Sequence, residues 1–199
     1  QRLLGVCHML AGMLMLGVGL SVLASLVWRA EHTGNNWNAM TAQPVAAWRL
    51  ASAKVLALAL LATFMQAVLL LTVLFLGKVV FHLPAWLPAR YYAVSVLVVV
   101  ASVPVCAAQS ALSARSRSFV LPVVIGFVLT CVGAVLLAIK VRAALIYAYC
   151  LLAHTTQLGS GSGADASALT IQSATLTVVL SVALTALCVL CLLYTSPSP

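Results

Sequence analysis

VLALALLATFMQAVLLLTVLFL, Val55–Leu76, contains no Asp, Glu, Lys or Arg, and a single amide, Gln66, interrupts its apolar run. A helix rising 1.5 Å per residue needs about 20 such residues to cross the roughly 30 Å hydrocarbon core of a bilayer. The stretch is too long for a barrel strand and lacks period-two alternation. Its backbone groups must therefore be satisfied within the segment, and a helix does that.

Four more runs meet the same length: Leu3–Trp28, Tyr92–Leu112, Phe119–Ile139 and Leu169–Leu190. The predicted fold class is an all-α, polytopic transmembrane helical bundle with five visible spans in one membrane domain, residues 1–190. Composition agrees: 64% of the 199 residues are hydrophobic and 6% charged, far below the roughly 25% charged share of soluble domains. In water such a chain would leave large apolar patches uncovered, and these drive association.

Ten Lys and Arg oppose only Glu31 and Asp165, giving a net charge of +8. A basic balance points to nucleic acid when the charges share one face. Here they fall singly or in pairs between apolar runs, the distribution of residues flanking membrane spans, so the expected partner is the lipid bilayer and no nucleic acid.

Little in the spans carries chemistry. Five of the six cysteines, Cys7, Cys106, Cys131, Cys150 and Cys188, lie in apolar stretches and read as small core residues. Cys188 and Cys191 form a C-x-x-C without a second pair or a histidine cluster, so no metal site is expected. Gln66, Gln109, Pro104, Pro122 and several glycines imply a packed bundle whose neighbours supply partners. Gln66 and Gln109 have two readings, interhelical hydrogen bonds or polar groups along a substrate path, and His8 reads as the former. Gly77 and Lys78 are followed by Val79, and Thr72 stands where a phosphate loop needs glycine. There is no nucleophile elbow, H-E-x-x-H or intramembrane carboxylate pair, so no catalytic residue is expected.

The most polar connection is WRAEHTGNNWNAMTAQPVAAWRLASAK, Trp28–Lys54. Pro44 disfavours helix at Gln43 but suits a first turn, so a short helix around Trp37–Thr41 is expected to end there and a second to begin at Pro44. VAAWRLASAK then has no breaker before the next span, with Trp48 and Lys54 as interfacial anchors.

These residues resemble the ABC-2 type transporter permeases, and within them the lantibiotic-immunity and bacitracin-resistance branch. The pattern E-x5-W-x6-P-V, a helix and then Lys is met by Glu31, Trp37, Pro44, Val45 and Lys54, although Ala46 and Ala47 stand where polar or basic residues are more usual. The resemblance continues through SARSRSF, Ser113–Phe119, and an F-V-x-P-V-x-I-G run, Phe119–Gly126.

The resemblance implies a multi-pass permease subunit of the bacterial cell (plasma) membrane that exports an antimicrobial peptide or similar amphipathic substrate. ATP and Mg would sit on a separate ABC ATPase subunit, with no cofactor bound by this chain, and a second permease subunit, identical or different, would complete the transporter. Glu31, Trp37, Pro44 and Arg49 would form a cytoplasmic coupling loop against that ATPase. The other reading makes the loop a plain link with Trp37 and Trp48 as interfacial aromatics. Such permeases have six helices, which implies a first span upstream of Gln1. Two alternatives come from other classes: a non-transporting scaffold or sensor partner, and a membrane enzyme using His8, His82 or His154.

Charge does not orient the chain. With Trp28–Lys54 inside, Arg29, Arg49, Lys54, Arg115 and Arg117 face Arg2, Lys78, Arg90, Lys140 and Arg142 outside, a tie under the positive-inside rule. Ala143–Ala153 is too short to cross and reads as interfacial or re-entrant, and Gln157–Ser167 as a flexible loop. A permissible reverse translation of CLLYTSPSP, Cys191–Pro199, runs through a transposase adapter end used in sequencing libraries, so these residues are expected to be an artefact.

Overall fold

The computed structural model describes residues 2–32, 47–80, 82, 89–116, 118–139, 146–160 and 171–195, with side chains in the first helix described over Leu14–Arg29. Among these residues six α-helices follow in order: α1 Arg2–His32, α2 Ala47–Phe75, α3 Ala89–Arg115, α4 Val120–Ala138, α5 Ala148–Ser160 and α6 Ile171–Thr195. One π-helical turn, Leu76–Val80, extends α2. No strand occurs among the described residues.

Among the described residues, four helices are long and apolar enough to cross a membrane: Arg49–Val79, Tyr91–Arg115, Val120–Leu137 and Gln172–Cys191, with a shorter apolar stretch at Leu14–Arg29. Their outward residues explain why the surrounding solvent must be lipid. Phe64 is 67% exposed, and Leu71, Val96 and Val182 are each 64% exposed. Contiguous apolar surface of this kind is stable only against an apolar medium. The molecule is therefore an all-α, multi-pass membrane bundle.

The centre of the bundle is α3, which packs against each of the other five helices. Pro104 lies inside it and the helix continues to Arg115. Proline removes the donor that would meet the Val100 carbonyl, a loss that packed membrane bundles tolerate; nearby, Ser102 Oγ donates to the Val99 carbonyl at 2.7 Å. Thr63, Thr72, Thr130, Thr177 and Thr185 each donate to the carbonyl four residues earlier, so no hydroxyl hydrogen is left bare in hydrocarbon there.

The short α5 sits inside the bundle. Ala148, Tyr149, Cys150, Leu151, Leu152 and Ala153 are all buried. Tyr147 donates to the Leu129 carbonyl at 2.8 Å, and Gly133 of α4 lets the α5 backbone approach so closely that an added Cβ would lie 3.1 Å from Cys150 N. Of the interfacial and re-entrant readings of Ala143–Ala153, the burial of residues 148–153 speaks against the interfacial one, while residues 143–145 lie outside the described residues. The flexible loop expected from Gln157 is corrected in part, because α5 runs on to Ser160.

Candidate functional site

The C-terminal end of α1, the start of α2, the end of α3 and the start of α4 meet at one end of the bundle, and polar groups knit them together. Trp28 is buried, and its Nε1–H donates to Ser110 Oγ of α3 at 2.9 Å. The Lys54 ammonium of α2 lies 4.3 Å from the Trp28 ring centroid and donates to the Val27 carbonyl at 3.3 Å. Across the same end, the Arg29 guanidinium lies 5.5 Å from the Phe119 ring that precedes α4.

Lys54 is only 8% exposed. An ammonium out of water is costly unless fixed partners replace its hydration. A carbonyl and the negative face of an indole do so here, and a desolvated cation–π contact contributes about 2 kcal/mol. The result ties α2 to α1 and, through the Trp28 donor, to α3.

Deeper in the bundle a seam of small and hydroxyl residues joins α1 to α4. Gly17, Ser21 and Ser25 recur every fourth residue on α1, facing Pro122, Gly126 and Thr130 on α4. A Cβ at Gly126 would collide with Ser21 Oγ and Gln109 Nε2, and one at Gly17 with the Thr130 side chain. Ser21 donates to the Gly17 carbonyl at 2.8 Å. Gln109 of α3 is fully buried; its Nε2 donates to the Pro122 carbonyl at 3.2 Å, and its Oε1 has no hydrogen-bond partner among the described residues. Small residues at this spacing let helix backbones approach, the usual basis of close packing in membranes.

The residues expected to form a site fall in different places. Glu31 is the penultimate residue of α1, with its side chain outside the described residues; Trp37 and Pro44 lie outside them altogether, as does the helix expected around Trp37–Thr41. Arg49 is exposed on the first turn of α2 and borders a cleft with α3 and α6. Gln66 is half-buried twelve residues beyond Lys54, about 18 Å along the helix. It therefore stands at a different level from Gln109, which neighbours the Ser110 partner of Trp28. Lys54 was expected as an interfacial anchor and is instead buried against α1.

The histidines do not converge. His8 has no described side chain, and His82 is exposed at φ 47°, the left-handed conformation common just past a helix end. His154, on the non-spanning α5, has its pKa lowered by burial, and its Nδ1 has no hydrogen-bond partner among the described residues. Cys106 and Cys150 are buried free thiols, Cys188 is half-buried and Cys191 exposed. No group of three or more metal-ligating side chains occurs among the described residues.

The pairings of Trp28 with Ser110 and Lys54, and of Gly126 with Ser21, were not anticipated. The fourfold spacing of small residues in α1 and α4 is their one local trace in the sequence. A family model described as ABC-2 family transporter protein matches residues 4–133, which include every residue of the cluster and of the seam. No curated protein and no solved structure matches the chain.

Proposed function

Because the chain belongs to the ABC-2 family of transporter proteins, whose model covers well over half of it, we propose that it is the permease subunit of an ATP-driven exporter. The end of the bundle bearing Trp28, Arg29, Lys54 and Phe119 meets a separate ATPase subunit. The observation carrying this reading is the Lys54–Trp28–Ser110 linkage. The 31–49 connection leaves α1 and enters α2 beside that linkage, so a displacement of the loop reaches α1, α2 and α3 together. Closely packed small-residue faces such as the α1–α4 seam are suited to the small sliding motions of packed helices.

ATP and Mg belong to the partner in this reading, since the 199 residues contain no phosphate-binding loop. A second permease subunit, identical or different, completes the assembly in a bacterial plasma membrane. The cargo is an antimicrobial peptide or similar amphipathic molecule taken from the lipid phase, as in the lantibiotic-immunity branch. The absence of charged side chains over the 55–76 and 119–139 spans supports an apolar cargo over an ionic one.

The test is stimulation of ATP hydrolysis in the reconstituted pair. Glu31→Lys combined with Trp37→Ala is expected to abolish stimulation and drug protection while leaving membrane insertion intact. Unchanged stimulation by that variant would remove the coupling role.

A further inference from the structure

A lateral cleft of about 630 Å³ opens between α2 and α6, floored by α3. Its walls are Ala53, Leu56 and Ala59 of α2, Val103 of α3, and Thr185 and Val189 of α6, and Arg49 stands at one end. We infer that this cleft holds one acyl chain of an anionic phospholipid, with the lipid phosphate against Arg49.

Length and polarity converge on that occupant. From Arg49 to Ala59 the cleft follows α2 for about 15 Å, half of the roughly 30 Å hydrocarbon core and so the depth of a single leaflet. Arg49 begins the apolar span of α2, where a long cationic side chain reaches the headgroup layer. Both hydroxyl donors on the walls are spent on their own helices: Ser52 donates to the Arg49 carbonyl at 3.0 Å and Thr185 to the Ser181 carbonyl at 2.7 Å.

A peptide would bring backbone amides into a cleft whose wall hydroxyls are both already spent and whose arginine stands only at one end, which is costly in an apolar setting. An aliphatic chain needs no partner, and its anionic head complements the arginine. The inference rests on the membrane fold alone and stands apart from what the chain transports.

The test uses the full chain in phosphatidylcholine vesicles containing phosphatidylglycerol with a photoactivatable group in its acyl chain, and cross-linked residues are mapped by mass spectrometry. Cross-links are expected over residues 53–59 and 185–189. Unlabelled phosphatidylglycerol is expected to displace them about fivefold more effectively than phosphatidylcholine, the scale of one cation beside an anionic headgroup. Arg49→Gln should equalise the two competitors while keeping the cross-links. Ala59→Leu should narrow the cleft at the end away from Arg49 and weaken the cross-links there, with helicity by circular dichroism unchanged.

Equal competition in the unaltered chain would overturn the site, as would cross-links spread evenly onto Phe64 and Leu71. Chain-to-chain cross-links from the same positions would assign the cleft to a second copy and overturn it as well.

Discussion

Lys54 and Trp28 show how one charge is carried into an apolar bundle. The lysine stem packs like a hydrophobe, and the charge is met by the indole face and the Val27 carbonyl. Replacing a buried charge by an apolar side chain of similar volume is often neutral, whereas removing its partner alone strands the charge. Lys54→Met is therefore expected to change stability by less than about 1 kcal/mol, while Trp28→Leu costs about 2 kcal/mol or more by loss of the desolvated cation–π contact. Adding Lys54→Met to Trp28→Leu should recover part of that loss. Reversible unfolding in mixed detergent micelles, read as a double-mutant cycle, measures all three; additive effects would show that the contact is not energetically coupled. Gly126 makes the complementary point. Gly126→Ala forces a methyl onto Ser21 and Gln109, an overpacking expected to cost about 1–3 kcal/mol, with Ser21→Gly restoring part of it. Gly19→Ala meets only the flexible end of Met65 and should be nearly silent in the same assay. These pairings could not be read from the chain, because Trp28 and Ser110 are 82 positions apart. The pattern showed that small residues recur, not which ones meet.

At the scale of whole elements, legibility followed the physics of the solvent. The spans at Val55–Leu76, Tyr92–Leu112, Phe119–Ile139 and Leu169–Leu190 were visible because lipid demands about 20 apolar residues in a row, and each lies within or largely overlaps an observed helix. The start of α2 was legible too, since a helix was expected from Pro44 with no breaker before the span and the chain is helical from Ala47, the first described residue after the loop; that Lys54 lies inside the bundle was not. The position of α5 escaped the same logic. A helix that only packs against other helices has no length to satisfy, and its burial follows from contacts with α1, α3 and α4 that no local periodicity encodes. Its role as an internal plug can be measured by thiol chemistry. Cys106 on α3 and Cys150 on α5 are both buried in the bundle, so both should resist N-ethylmaleimide in the folded protein and react after denaturation. Leu152→Ala should destabilise the bundle by about 2–5 kcal/mol and expose Cys150, because the cavity it leaves has no lipid access to refill it. Fast labelling of Cys150 in the unaltered protein would contradict the plug.

For the molecule as a whole, the question that matters to function is which end faces the cytoplasm. The end holding Arg29, Arg49, Lys54 and Arg115 is the one where the Trp28 cluster lies. Counted along the entire chain, however, basic residues divide evenly between the two sides, and the positive-inside rule gives no preference. The coupling proposal makes a choice that charge does not, because an ATPase subunit works where ATP is, so the cluster must face inward. Ser116 lies between α3 and α4 at that end, beside Arg29 and Phe119, whereas Ser160 ends α5 and is expected to approach the opposite face. With Cys191 replaced by alanine, a cysteine introduced by Ser116→Cys should react with a membrane-impermeant maleimide only after the cells are opened. One introduced by Ser160→Cys should react in intact cells. The reversed pattern would leave the bundle, the seam and the lateral cleft as described, but it would put the Lys54–Trp28–Ser110 linkage on the side without ATP. Coupling through the 31–49 connection would then be physically impossible. The labelling pattern thus separates the architecture, which rests on lipid-facing surface and packing, from the mechanism, which rests on orientation.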